Sequence, residues 1–261
     1  MGELERKLAF CTLLSDNKYF DGVSVLLKTL RKHNRYLGIK TLCLVDETRV
    51  HKTTAKALER ICDEVLAVSP LVHTAHKIGK EKGKAEKHKT PTWENSEMTK
   101  IHIWNLTIYD QICYIDADCM VVGNIENVFT DCASVDFAAA PDVFPPDRFN
   151  AGVLVVKPSS KTYTELCEAL NIIESYDGGD TGFLNNYFKN WYTGPPSSRL
   201  PYAYNCQRIL YWFTYEKCPG YWDSITEKKI IHFSSSPKPW EGSIFTTKGD
   251  LEMQWWQALM E

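Results

Sequence analysis

Ile112-Cys113-Tyr114-Ile115-Asp116-Ala117-Asp118, followed at once by Met120-Val121-Val122, is an apolar strand that runs into two carboxylates two positions apart. Side chains at i and i+2 of a strand share a face, so the spacing predicts Asp116 and Asp118 side by side. Two adjacent negative charges are costly unless a positive charge sits between them, and a divalent cation with hard oxygen ligands satisfies both. Asp-x-Asp strings also arise by chance in loops. The apolar strand in front of this one argues for a metal site.

Working outward, the same strand falls in a regular alternation. Leu8 to Leu14 is an apolar run of strand length, and Val23, Leu26, Leu27 and Leu30 recur at helical spacing. Thr41 to Val45 reads as the next strand, Ala55, Leu58, Ile61 and Cys62 as the core face of a second helix, and Glu64 to Val68 as a third strand. Met98, Ile101, Ile103 and Trp104 mark a helix carrying Lys100, and Asp136 to Ala140 and Val153 to Val156 are further strands. Tyr163, Leu166, Cys167 and Leu170 give one more helix face. This pattern predicts an α/β fold, a Rossmann-like nucleotide-binding domain with a mostly parallel sheet and helices on both faces. Ligands of such sheets gather at the carboxyl ends of strands, where Asp116 and Asp118 fall.

At 261 residues with 44% hydrophobic content, the chain can bury its core as one domain, residues 1–261. Thirty-three acidic residues against 30 Lys plus Arg leave a net charge of −3, which provides no basic field for nucleic acid. Met1 to Lys7 has charge without an apolar h-region, and no apolar run reaches spanning length, so the expectation is a protein without signal or membrane anchor. The nine cysteines are an odd number without a Cys-x-x-Cys pair, and several sit in apolar strand runs. A reducing cytoplasm fits such usage. Asn105-Leu106-Thr107 spells a glycosylation sequon inside a helical pattern and reads as chance.

Residues 69–93 break the pattern with a polar stretch rich in lysine, Lys77 to Lys89, that reads as a mobile loop; a lid folding over a diphosphate is the sharper alternative. Gly79 to Lys84 lacks the spacing and the Ser or Thr of a P-loop. Residues 241–261 form an amphipathic C-terminal segment with adjacent Trp255 and Trp256, suited to packing on the chain's own core, to a homodimer contact or to a membrane surface.

Three further strings complete the sequence signature: Phe149-Asn150-Ala151-Gly152-Val153, Asp177-Gly178-Gly179-Asp180-Thr181-Gly182, and Ile231-His232-Phe233 leading to Lys238-Pro239-Trp240. Together with Asp116-Ala117-Asp118, and in the same order from Phe10 to about Trp240, they resemble the glycogenin-type members of glycosyltransferase family 8. These are metal-dependent enzymes with a GT-A type nucleotide-sugar domain. The resemblance implies His232 as a third ligand beside Asp116 and Asp118. Mixed carboxylate and imidazole ligation favours Mn2+, with Mg2+ second. It also implies that Leu13, Ser15, Asp16 and Tyr19 hold uridine, and that Lys100, Ala117, Asn150, Ala151, Thr181 and Ser235 belong to the donor site. Lys238 would add a charge at the leaving phosphate.

Asp177 and Asp180 would face the sugar, with Gly178 and Gly179 allowing a sharp turn between them; an Asp-rich helix cap is the structural alternative. The family retains anomeric configuration, and Asp180 is the candidate beside the anomeric carbon, as nucleophile or as electrostatic support. A glycoside hydrolase also needs two carboxylates, but these flank the scissile bond, roughly 5–9 Å apart. Two residues adjacent on one strand suit a metal instead. A catalytically silent binding protein is a second rival, disfavoured by the intact motifs.

The resemblance places Trp212 at the register where glycogenin glucosylates its own tyrosine, with Tyr211 one residue off, and the chain ends soon after Lys238-Pro239-Trp240. That layout resembles cytoplasmic protist α-galactosyltransferases that cap a hydroxyproline-linked glycan on the Skp subunit of SCF ubiquitin ligases. The expectation is transfer from UDP-galactose to such a glycan, with self-glucosylation from UDP-glucose or galactinol-type transfer to a polyol as alternatives.

Overall fold

The computed structural model describes residues 6–34, 38–75, 96–242 and 249–261. The apolar run at the start forms β1 (Leu8–Leu14), with all but Leu8 buried, as a strand covered on both faces requires. Asp16 follows, and its side chain accepts the Lys18 amide at 2.9 Å, capping a single 3-10 turn that leads into α1 (Phe20–His33). Next come β2 (Ile39–Asp46), α2 (Lys52–Leu58) and β3 (Glu64–Val68). Residues 76–95, most of the expected lid, lie outside the described residues.

The chain resumes in Glu97–Asn105, which is a 3-10 helix and not the α-helix expected from its apolar spacing. The tighter winding stacks i and i+3, so Glu97 and Lys100 share one side. Then follow β4 (Gln111–Ile115), β5 (Cys119–Val121), α3 (Val128–Asp131), β6 (Phe137–Pro141) and β7 (Phe149–Val156). The remainder is α4 (Ser160–Ala169), α5 (Asp180–Tyr187), β8 (Cys206–Gln207), α6 (Arg208–Thr214), α7 (Gly220–Asp223), β9 (Ile230–His232) and α8 (Asp250–Met260).

The main sheet has the order β3-β2-β1-β4-β7-β6. Its first four strands are parallel, while β7 runs antiparallel to both β4 and β6. Helices cover both faces. On one, Leu26 and Leu30 of α1 pack with Phe10, Cys113 and Ile115. On the other, Met98, Ile101 and Trp104 pack with Leu166 of α4, Phe183 of α5 and the opposite faces of β1 and β4. Strand order reverses between β1 and β4, which makes their carboxyl ends the crevice where ligands of doubly wound sheets bind.

A second sheet, β5-β9-β8, lies beside that crevice. Its register sets Cys119 opposite His232, and Gln207 opposite His232 on the other side. Segments more than 110 residues apart in sequence are thereby stitched to the end of β4. At the C-terminus, Leu251, Trp255 and Ala258 of α8 bury against Val25 of α1, the first of the three roles open to that segment. Among the described residues no helix is long and apolar enough to cross a membrane, and all nine cysteines are free.

Gly22 of α1 ties the fold to the crevice. A Cβ there would lie 2.6 Å from the Ala117 carbonyl oxygen and 2.9 Å from the Trp240 ring. Alanine gains about 1 kcal/mol of helix propensity over glycine, but overpacking against backbone costs about 1–3 kcal/mol. Gly22→Ala is therefore expected to lower the urea midpoint despite the better helix former. A raised midpoint would mean that α1 slides freely over the Ala117 turn.

Candidate active site

The carboxyl ends of β1 and β4 open into a cleft of about 860 Å³, large enough for a nucleotide sugar. Leu13, Ser15, Asp16 and Tyr19 line it from the β1 side, and Asp116, Ala117, Asp118 and His232 from the β4 side. Lys100, Asn150, Asp177, Asp180, Thr181 and Lys238 complete the wall.

The two leading carboxylates do not stack on a strand face. β4 ends at Ile115, and the Asp116 carbonyl accepts the Cys119 amide at 3.1 Å, so Asp116-Ala117-Asp118 is a turn. The turn aims the two carboxylates at different cations. Asp116 Oδ1 accepts from Lys100 Nζ and from the Tyr114 hydroxyl, each at 2.8 Å. Asp118 Oδ2 accepts from Lys238 Nζ at 2.5 Å, and its Oδ1 lies 3.1 Å from His232 Nε2. Burial pushes the Asp118 carboxyl upward, but the Lys238 ammonium and the His232 imidazole outweigh it and hold it well below the usual carboxylate range.

Lys100 is 2% exposed and makes a second ion pair with Asp180 Oδ2. Its Nζ also donates to the Ala151 carbonyl at 3.1 Å. Burial alone would depress its pKa, but Asp116 and Asp180 more than reverse this, so the ammonium stays charged. Asp180 opens α5, and its carboxyl is raised by burial even though Lys100 opposes the shift.

Asp177 Oδ1 accepts from the Ser175 hydroxyl and from the Gly179 and Gly182 amides at 2.7–3.0 Å, which braces the first turn of α5. This is the cap geometry that its sequence allowed. Gly178 has φ 82°, a left-handed conformation that favours glycine and lets the loop double back.

Two residues expected in the donor site face elsewhere. Ser235 turns toward Arg208, whose guanidinium donates to its carbonyl at 2.5 Å and its hydroxyl at 3.0 Å; the flanking Ser234 and Ser236 line the cleft instead. Ala151 acts through its backbone, its amide donating to Thr181 Oγ1 at 3.0 Å. Sequence reasoning missed Glu97, which lines the cleft and hydrogen-bonds Asp180. Its signal was the i, i+3 spacing to Lys100. It also missed Asn205, which lies at hydrogen-bonding distance from His232.

Among the described residues, the ligand atoms of Asp118, Cys119 and His232 lie within 4.8 Å of one another. Asp116 is outside that cluster, drawn to Lys100. Burial pushes the Cys119 thiol well up, and a thiol is a soft donor beside the harder carboxylate and imidazole. What remains is a carboxylate and an imidazole with a cationic ammonium already at Asp118, and a second carboxylate two residues away. This donor set suits a hard or borderline divalent cation.

Comparison with known proteins agrees with this architecture. The sequence model for glycosyl transferase family 8 matches residues 10–243. The chain is 34% identical over 234 residues to Glycogenin-1 of Oryctolagus cuniculus, covering 89% of this chain and 65% of that protein. It is 34% identical over 251 residues to Glycogenin-1 of Caenorhabditis elegans, covering 95% and 54%. The chain thus spans less than two thirds of the length of these relatives. Among solved structures, the apo glycosyltransferase GlyE of Streptococcus pneumoniae TIGR4 superposes with TM-score 0.65 at 20% identity, over 98% of this chain and 60% of that one. The galactosyltransferase LgtC, solved with donor and acceptor sugar analogs, gives TM-score 0.59 at 15% identity over 97% and 95%. These two likenesses establish the fold. The chain belongs to glycosyltransferase family 8.

Burial, then the Asp180 charge, pushes the Glu97 carboxyl up from 4.5 to about 9. Between those values folding takes up a proton at Glu97, so the stability it contributes is complete below 4.5 and is lost as pH rises toward about 9. Glu97→Gln, which cannot ionise, is expected to melt above the wild type by a margin that widens from about pH 5 to about pH 8. A constant margin in thermal melts would show that Glu97 is ionised in the folded protein.

Proposed function

We propose that this chain is a retaining, divalent-metal-dependent hexosyltransferase that moves galactose or glucose from a UDP-sugar in α linkage onto a protein-linked glycan in the cytoplasm. The donor we favour is UDP-galactose, and the acceptor is a glycan of the kind carried by the Skp subunit of SCF ubiquitin ligases. One observation carries the reading: the cleft has two separate charge clusters. Asp118, His232 and Lys238 form one, and Lys100 with Asp116, Asp180 and Glu97 forms the other. A diphosphate needs positive charge at one end of the site, and a sugar developing positive charge at its anomeric carbon needs carboxylate at the other.

Asp116, Asp118 and His232 would hold Mn2+, or Mg2+ as second choice, which when bound supplies charge that stabilises the departing diphosphate. Lys238 adds a charge of the same sign from the protein itself. Leu13, Ser15, Asp16 and Tyr19 form the uridine end. Tyr19 meets Trp240 edge to face at 5.4 Å, which holds its ring at the cleft wall. Asp180, fixed by Lys100 and by its own helix start, steadies the sugar while the bond to the diphosphate breaks. The nine free thiols suit a reducing compartment.

The names of the relatives favour a second reading, glycogenin-type self-glucosylation. Two features weigh against it. Trp212, at the register of the modified tyrosine, is an indole without a hydroxyl, and it stacks on the Arg208 guanidinium at 4.0 Å. Tyr211 has a hydroxyl but is only 8% exposed.

Asp180→Ala is expected to leave UDP affinity within a few fold and to lower turnover by orders of magnitude, since loss of rate with binding retained marks a contact made in the transition state. Collapse of UDP binding, read by calorimetry, would make the 177–182 turn purely structural. For the acceptor, the purified protein is incubated with Mn2+ and UDP-glucose or UDP-galactose and weighed intact. The expected result is an unmodified mass with free UDP accumulating slowly. A ladder of added hexoses, lost in Tyr211→Phe, would restore the self-glucosylating reading.

A further inference from the structure

His232 can serve a metal only through Nε2, and only if the ring proton resides on Nδ1. Hydrogen positions on an imidazole are set by the partners of the other nitrogen. Here those partners form a chain that starts at a group with no freedom. The Gly152 backbone N–H donates to the Asn150 side chain at 3.0 Å. A peptide N–H can only donate, so the Asn150 atom it meets is the oxygen. The same oxygen receives the Asn205 side chain at 2.9 Å, which must therefore present its NH2. The other end of that amide, its oxygen, then faces His232 Nδ1 at 2.8 Å. An amide oxygen only accepts, so Nδ1 carries the hydrogen. Nε2, 3.1 Å from Asp118 Oδ1, is the nitrogen left to face a metal.

We propose that Asn205 is a positioning residue that holds His232 in the Nδ1–H form and so presents Nε2 to the divalent cation. The inference rests on the reading of Asp118 and His232 as metal ligands. The two groups at the metal end of the relay are closed to water, Asn205 being 0% and His232 3% exposed. The small sheet sets the distances, since Gln207 of β8 pairs with His232 of β9, and Asn205 leads directly into β8. Gly152 makes room as well as starting the relay. A Cβ there would lie 2.3 Å from His232 Cε1 and 2.6 Å from Nδ1, so any larger residue would displace the ring. Asn150 turned end for end would set donor against donor at the Gly152 amide, and Asn205 turned end for end would set acceptor against acceptor at Asn150, so the relay has one consistent polarity. Hydrogen bonds to the far nitrogen of a ligating histidine commonly carry a 10- to 100-fold share of metal affinity, as an order of magnitude.

The test reads the tautomer and the metal, apart from turnover. In 15N-histidine-labelled protein, long-range 15N–1H correlations report which ring nitrogen bears hydrogen, and His232→Ala assigns the signal. The expected result is hydrogen on Nδ1 in both metal-free and Mg2+-loaded protein, with a population lacking it emerging in Asn205→Leu. Mn2+ affinity, followed by the paramagnetic resonance of free Mn2+, is expected to fall about 10- to 100-fold in Asn205→Leu. Melting temperature in EDTA serves as the control for folding. If Asp118→Asn and His232→Ala leave Mn2+ affinity unchanged, the metal-site reading fails. If they weaken it and Asn205→Leu does not, that reading stands and the role of Asn205 is overturned. Should Asn205→Leu not fold, a wild-type ring lacking hydrogen on Nδ1 overturns the proposal by itself, and a ring carrying it supports the proposal.

Discussion

Carboxylates buried at the end of a central strand must be neutralised, and most of this molecule is arranged around that requirement. Asp118 is 8% exposed and Asp180 likewise, in surroundings where an unpaired charge is prohibitive. Lys100, itself 2% exposed, stands between Asp116 and Asp180, and Lys238 stands at Asp118. Buried ion pairs add little net stability over apolar packing, but losing one partner leaves a stranded charge at a cost of about 3–5 kcal/mol. The arrangement therefore specifies position more than it stabilises the fold.

The cations arrive from distant parts of the chain, and secondary structure delivers each. The 3-10 helix Glu97–Asn105 packs Met98, Ile101 and Trp104 into the core and so turns Lys100 inward to the cleft. The small sheet carries His232 to Asp118, and the Phe233 amide donates to the Asp118 carbonyl at 2.9 Å, continuing the pairing by one residue. Beyond it, Arg208 clamps the loop that ends at Lys238, donating to the carbonyls of Ser235 and Pro237 while its charge is met by Glu252 of α8 at 2.9 Å. Helix α8 thus connects to the position of Lys238 without touching the cleft. The guanidinium also stacks on Trp212, whose ring is part of the same clamp.

The alternation of apolar runs and helical faces was sufficient for the fold because the central strands are buried on both sides and show it in composition. Leu8–Leu14 and Gln111–Ile115 are near-continuous hydrophobic strings. The motifs stood out for a related reason, since Asp-x-Asp crowds costly polar residues onto the end of such a string, Asn-Ala-Gly sets one at the start of another, and Asp-Gly-Gly-Asp gathers them at a helix start. The pairing of those residues was not legible. Asp116 and Asp118 looked like neighbours on one strand face, but a turn begins one residue earlier and sends them to different partners. Glu97 stood out in no motif, because it is the 3-10 winding that sets it over Lys100. Ser235 read as a donor contact, and one step along the loop points it at Arg208 instead.

By itself, then, the sequence determined the layered α/β architecture, the strand ends at which polar residues gather and the chemical types available there, because these follow from burial and local periodicity. Only the tertiary structure decided which carboxylate meets which cation, that Glu97 leans on Asp180 and that Asn205 meets His232. Those contacts join residues as far as 120 positions apart, Asp118 and Lys238 being the extreme. Their geometry depends on sheet register and on where a strand gives way to a turn. A shift of one residue in either would exchange the partners while leaving the hydrophobic pattern almost unchanged.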